Sequence, residues 1–188
     1  LDGANVISTQ GALHRVTPER LEVAAEKFRE RFAALPRPLI GVLIGGANRQ
    51  YRLSAATAAR LGSQLASAAI SSGGGLAITP SRRTGADNLR AITTPLDGLA
   101  ADIWDGEGDN PYFAILALAD ALIVTSDSVN MVTEACATGK PVHIFDLDGG
   151  SAKFTRFHAA FRENGMTRPF TGTLENWSYT PPDDMERA

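Results

Sequence analysis

The chain has 188 residues, 44% of them apolar, 7% aromatic and 21% charged, with a formal net charge of −3 and an isoelectric point near 5.6. That composition suits one globular domain with a sizeable core, and the acidic balance excludes a general nucleic-acid binder, which shows a basic excess. A single cysteine, Cys136, excludes an internal disulfide framework, and no apolar run approaches the roughly 20 residues needed to span a bilayer. With no signal peptide at the start, a cytoplasmic location is expected.

The chain opens on Leu1 rather than Met, and Asn5-Val6-Ile7-Ser8-Thr9 reads as a strand. Residues 1 to 38 are therefore expected to be a linking strand and helix from a missing amino-terminal half. Thr17-Pro18 starts a helix, with Thr as N-cap and Pro at the first helical position; Leu21, Ala24, Ala25, Phe28, Phe32 and Leu35 form its apolar face, and Pro36 and Pro38 stop it. Residues 39 to 44 are a buried strand ending in Gly45-Gly46-Ala47-Asn48. Paired glycines after a strand either make a tight turn or let backbone approach a ligand and present N–H groups to phosphate.

Residues 54 to 70 read as an Ala-rich helix ended by Gly73-Gly74-Gly75, and a strand resumes at residue 76. It gives out at Pro80-Ser81-Arg82-Arg83-Thr84, where the arginines are either solvated charges or bidentate phosphate ligands. A short helix around residues 87 to 96 is broken by Pro95, a strand follows near residue 101, and Asn110-Pro111-Tyr112 opens another helix as N-cap and first position. Tyr112 and Phe113 belong either to the core or to a base-stacking surface.

Residues 121 to 145 form the centre of the pattern. An apolar run stops at Thr125-Ser126-Asp127-Ser128, small apolar residues at helical spacing carry to Ala137, and Gly139-Lys140-Pro141 opens a second apolar run. Two strands without polar alternation, joined by a helix, suit parallel neighbours buried on both faces. Ser126, Asp127 and Ser128 fall where a strand's carboxyl end meets a helix amino end, a place that needs a cap and that also favours anions. Glu134 sits beside the buried stripe, as an edge carboxylate or a ligand for hydroxyl groups. Residues 151 to 163 are amphipathic, with Phe154, Phe157, His158 and Phe161 on one side and Lys153, Arg156 and Arg162 elsewhere.

Strands expected near 5, 40, 76, 101, 122 and 142, alternating with helices, make a doubly wound α/β fold: a mainly parallel sheet of about six strands with helices on both faces. The expected Rossmann-like unit covers residues 39 to 166, and residues 167 to 188 form a surface tail. No metal-ligand spacing, nucleophile elbow or Walker lysine motif occurs, so neither a metal nor a bound cofactor is expected.

Gly45-Gly46, Ser81-Arg82-Arg83-Thr84, Asn110-Pro111-Tyr112, Ser126-Asp127-Ser128, Glu134-Ala135 and Gly139-Lys140-Pro141-Val142 resemble the carboxyl-terminal half of the ELM family. Its namesake is a plant mitochondrial-fission protein, and its bacterial members carry a glycosyltransferase label. The likeness extends to the stretch from Ala12 to Leu21, to Trp104-Asp105-Gly106, to residues 153 to 158 and to Arg168-Pro169-Phe170-Thr171-Gly172, nearly the whole chain. More distantly, residues 39 to 146 are similar to the donor domain of GT-B glycosyltransferases.

The resemblance implies a nucleotide-sugar as substrate and a glycan or lipid acceptor at the inner face of a membrane. Gly45, Gly46 and Arg82 would face phosphates, with Asn48, Ser81, Arg83, Asn110 and Tyr112 on the same edge. Ser126, Asp127 and Ser128 would meet phosphate or sugar, and Glu134 would hold ribose hydroxyls. The chain departs from the GT-B pattern in having Ser126-Asp127 where a Ser-Gly pair is common. The alternative is a non-catalytic scaffold or recruitment protein on the same fold.

Overall fold

Thr17 accepts the Arg20 N–H at 3.2 Å and caps the first helix, α1 (Pro18–Ala33), as the Thr-Pro pair predicts. The same logic repeats along the chain of the computed structural model, which describes residues 11, 12 and 14–182. After α1 come β1 (Leu39–Ile44), β2 (Tyr51–Arg52) and α2 (Ala55–Ser72), the last capped by Ser54 and ended by Gly73 at φ 66°. Then follow β3 (Gly75–Pro80), α3 (Ala86–Thr93), a 3₁₀ turn around Pro95, β4 (Ala101–Ile103), α4 (Tyr112–Leu118) and β5 (Ala121–Thr125). The chain continues through α5 (Val129–Cys136), β6 (Val142–Phe145), β7 (Asp148–Gly149), α6 (Ala152–Glu163) and β8 (Thr167–Pro169).

Six strands pair in the order β4-β3-β1-β5-β6-β8, every neighbour parallel. Alternation within the strands divides the core into two layers. Leu39, Leu43, Leu122, Val124, Val142 and Ile144 share a cluster with residues of α1, α4 and α5. Ile40, Val42, Ile44, Leu76, Ile78, Ile123 and Phe145 share the other with α2 and α3. Strands covered on both faces cannot carry polar alternation, which is why β1 and β5 read as unbroken apolar runs. This is the Rossmann-like α/β fold that the alternation of strand and helix requires. No helix among the described residues is long and apolar enough to cross a membrane.

Three local features differ from the sequence reading. The strand expected at residues 5 to 9 lies outside the described residues; the sixth strand of the parallel sheet is β8, which extends it beyond β6 through Thr167 and Arg168. Three residues including a proline give no apolar run to detect, and Pro169, which cannot donate to a ladder, is tolerated because β8 is an edge. The antiparallel pair of β2 with β7, only two residues long, was not anticipated. Helix α4 starts one residue later than expected. Asn110 Oδ1 accepts the Tyr112 N–H at 2.9 Å, while Pro111 stands at the cap and its carbonyl accepts the Ile115 N–H.

His143 is 0% exposed inside β6, and its Nε2 accepts the Glu175 N–H at 3.0 Å, which fixes the neutral ring. Burial lowers its pKa, against the smaller raising influences of the Leu122 backbone and Glu175. The unfolded chain takes up a proton near the ordinary value of about 6.5 while the folded chain resists it. This stability is therefore complete above about pH 6.5 and falls as the pH drops below it, by no more than about 1.4 kcal/mol per pH unit. Urea unfolding at pH 7.5 and 5.5 should show a steeper loss in the wild type than in His143→Gln; equal losses would show that His143 does not titrate on unfolding.

Candidate functional site at the carboxyl edge

From β1 the sheet extends one way through β3 to β4 and the other way through β5 and β6 to β8, so the winding reverses between β1 and β5. Open α/β sheets bind ligands outside the carboxyl ends of the strands at such a reversal. Here the chain fills that crevice itself. Thr125 Oγ1 accepts the Gly45 N–H at 2.8 Å and donates to Asp127 Oδ1 at 2.7 Å; Asp127 Oδ2 accepts the Gly46 N–H at 3.0 Å and pairs with Arg83 at 2.9 Å. The Asp127 side chain is 0% exposed. Asn48 Nδ2 donates to the Asp127 carbonyl at 3.0 Å, and the hydroxyls of Ser81 and Thr84 donate to the Gly45 carbonyl at 3.0 and 2.6 Å.

The glycine pair is explained by this convergence. A methyl group at position 45 would lie 2.2 Å from both Asp127 carboxylate oxygens, and one at position 46 would lie 2.1 Å from the Arg83 carbonyl oxygen. Gly45, Gly46, Asn48, Ser81, Arg83 and Asp127 are thus brought together, in contact with one another. Arg82 is exposed and makes no hydrogen bond or ion pair among the described residues.

The remaining candidates are divided. Ser126 is 1% exposed; its Oγ accepts the Leu147 N–H at 3.0 Å and its carbonyl accepts from His158 Nε2 at 2.8 Å. Ser128 caps α5 by accepting the Met131 N–H at 3.3 Å. Tyr112 donates its hydroxyl to the Glu134 carboxylate, and burial together with that charge raises its pKa far above the ordinary tyrosine value. Its ring packs edge-on to Phe113 at 5.3 Å. Asn110 Oδ1 also receives the Thr79 hydroxyl at 3.3 Å.

The open space lies one strand over. A cavity of about 480 Å³ separates the first turn of α5 from α6, lined by Val129, Asn130, Lys153, Phe154 and Phe157 with Gly11 and Ala12 of the incoming segment. No acceptor among the described residues meets the backbone N–H of Val129 or Asn130. Lys153 is exposed and unpaired among them. A helix amino end with two open N–H groups, a nearby ammonium and aromatic walls offers an anion a positive potential and a planar group an apolar face. Sequence reasoning stopped at the cap and missed Asn130, Lys153, Phe154 and Phe157 as one site. The available signals were position in the first turn of α5 and the apolar stripe of α6. No group of three or more metal-ligating side chains occurs among the described residues.

A family model described as Mitochondrial fission ELM1 matches residues 1–188. The Mitochondrial fission protein ELM1 of Arabidopsis thaliana is 39% identical over 188 residues, covering 98% of this chain and 44% of that protein. The uncharacterized protein RP120 of Rickettsia prowazekii is 28% identical, covering 97% of this chain and 53% of that protein. The chain therefore spans about half the length of these relatives. Among solved structures, Os79 from O. sativa in complex with UDP superposes with a TM-score of 0.51 at 14% identity, over 94% of this chain and 34% of that one. A glycosyl transferase family 9 structure from Veillonella parvula gives a TM-score of 0.46 at 17% identity, over 76% and 39%.

Asp127 is expected to act on stability rather than on a ligand. Asp127→Asn removes the charge that faces Arg83 and puts an amide NH₂ where the carboxylate now accepts, costing about 1 to 3 kcal/mol, the range for an unmet buried group. Chemical denaturation of the variant measures this; unchanged stability would remove the carboxylate from its place as the central tie.

Proposed function

The chain belongs to the mitochondrial fission ELM1 family, and from that premise we propose that it is the donor-binding half of a nucleotide-sugar-dependent glycosyltransferase. The observation that carries this reading is the cavity at the amino end of α5, lined by Val129, Asn130 and Lys153, whose backbone N–H groups (Val129, Asn130) and ammonium (Lys153) have no partner among the described residues. The nucleotide diphosphate lies on these groups, and Phe154 and Phe157 cover its apolar parts. When an acceptor hydroxyl attacks the anomeric carbon, the bond to the diphosphate breaks and negative charge grows on the leaving oxygen. A fixed helix end and a lysine stabilise that charge without reorganising.

Likeness of fold to Os79 from O. sativa, solved in complex with UDP, supports the architecture this requires. The acceptor, a glycan or lipid at a membrane surface, and the base that activates it belong in this reading to the part of the protein outside the chain. Glu134, engaged by Tyr112, stays with its internal partner. A second reading, a non-catalytic recruitment protein, is favoured by one observation: Gly45, Gly46, Arg83 and Asp127 are satisfied by the chain without any ligand.

Titration calorimetry on the full-length protein with nucleoside diphosphates and their sugar conjugates separates the two. The donor reading expects a preferred nucleotide, bound about tenfold or more weakly by Lys153→Ala, since hydrogen bonds to charged groups contribute about 1.5 to 3 kcal/mol. Glu134→Gln should leave that affinity in place. A folded protein that binds none of the panel supports recruitment instead.

A further inference from the structure

The neighbouring face of α6 carries a second cavity, of about 280 Å³, between that helix and the β2–β7 ribbon. Thr155, His158 and Arg162, spaced three and four residues apart on α6, form one wall, and Tyr51 and Asp146 contribute to the other. Tyr51 is 5% exposed, and its ring meets Phe154 of the first cavity edge-on at 4.9 Å, so the two cavities share a partition of aromatic side chains.

Several charged groups near this edge are already engaged. Asp127 holds Arg83, Asp148 accepts the hydroxyls of Ser54 and Thr57 at 2.7 Å each, and Arg60 donates to the Asp146 backbone carbonyl at 2.9 Å while lying over the Phe145 ring. The Asp146 carboxylate and the Arg162 guanidinium are different. Both line the cavity, neither makes a hydrogen bond or ion pair among the described residues, and they are not within ion-pair reach of each other. His158 adds an unmet acceptor to the same wall. Its Nε2 donates to the Ser126 carbonyl, which leaves a lone pair on Nδ1 in the neutral ring, and Nδ1 is shielded from water without a partner among the described residues.

This combination selects among ligands. A phosphate would gain from Arg162 and be repelled by Asp146, a simple cation would meet the reverse, and an apolar group would leave both charges desolvated and unpaired. A ring bearing adjacent hydroxyls suits both, because each hydroxyl can donate to the carboxylate and accept from the guanidinium. We propose that the cavity bounded by Tyr51, Asp146, His158 and Arg162 is a glycosyl subsite that binds one sugar ring through its hydroxyl groups. The ring comes either from the nucleotide-sugar held at α5 or from the end of a glycan chain. Only the first source rests on the function proposed above.

The test uses the full-length protein with Asp146→Asn and Arg162→Gln, exposed positions where substitution should leave the unfolding temperature close to that of the wild type. Three probes are titrated: UDP, a set of UDP-sugars, and methyl glycosides of glucose, galactose, mannose and N-acetylglucosamine. If the ring is the donor's, both variants weaken the preferred UDP-sugar about tenfold or more while UDP alone binds as before. If it is a glycan end, methyl glycoside binding is present in the wild type and lost in both variants with the UDP-sugar affinity unchanged; this arm holds even if no nucleotide binds. Wild-type protein that binds no glycoside, together with variants that leave every UDP-sugar affinity unchanged, overturns the proposal. A variant that weakens UDP and UDP-sugar equally overturns it as well, since the cavity would then act on the nucleotide.

Discussion

The Asp127 carboxylate is the tie on which the carboxyl edge depends. Placing a charged group out of water costs several kcal/mol unless donors replace the lost hydration. Asp127 has three: the Gly46 N–H, the Thr125 hydroxyl and the Arg83 guanidinium. These come from the ends of β1, β5 and β3, three adjacent strands of the sheet, so one side chain sets the spacing of the loops that leave them. The glycines at 45 and 46 follow from this requirement, because the loops approach too closely for a Cβ at either position.

Closing the reversal point moves the accessible chemistry sideways. With the crevice between β1 and β5 occupied by protein, cavities lie instead at the first turn of α5 and along the two faces of α6. Helix α6 is held to the same loop by the bond from His158 to the Ser126 carbonyl, so the walls of both cavities are referred to the segment that Asp127 anchors. A donor diphosphate at α5 and a sugar ring beside α6 would be neighbours across the contact of Phe154 with Tyr51.

The amino edge of the sheet shows the opposite condition. Lys140 donates to the carbonyls of Leu116 and Ala117 at the end of α4, and burial lowers its pKa to about 8. The Tyr179 hydroxyl donates to the carbonyls of Cys136 and Lys140 at 3.0 and 2.8 Å, and Asp120 accepts the Leu39 N–H and an Arg37 N–H. These polar groups are paired by the chain, whereas the carboxyl edge leaves N–H groups, an ammonium and a carboxylate without partners among the described residues. Lys140, introduced by the same Gly-Lys-Pro turn that opens β6, is a cap for α4.

Local sequence was enough to determined the elements whose causes are local. Thr17 and Ser54 cap helices, Gly73 ends one, and the unbroken apolar runs of β1 and β5 require a sheet covered on both faces. It also placed Gly45, Ser81, Arg83 and Asp127 on one edge, since each follows a strand of a parallel layer. What lay beyond it was the direction in which those groups face. A carboxylate after a strand reads equally as a ligand or as an internal tie, and only the approach of the Gly45-Gly46 loop and Arg83 makes it the latter. The same holds for β8 and for both cavities, whose partners are far apart in sequence: three residues ending in Pro169 become a strand only beside β6, and Asp146 and Arg162 come to line one cavity only because α6 folds back along the β2–β7 ribbon.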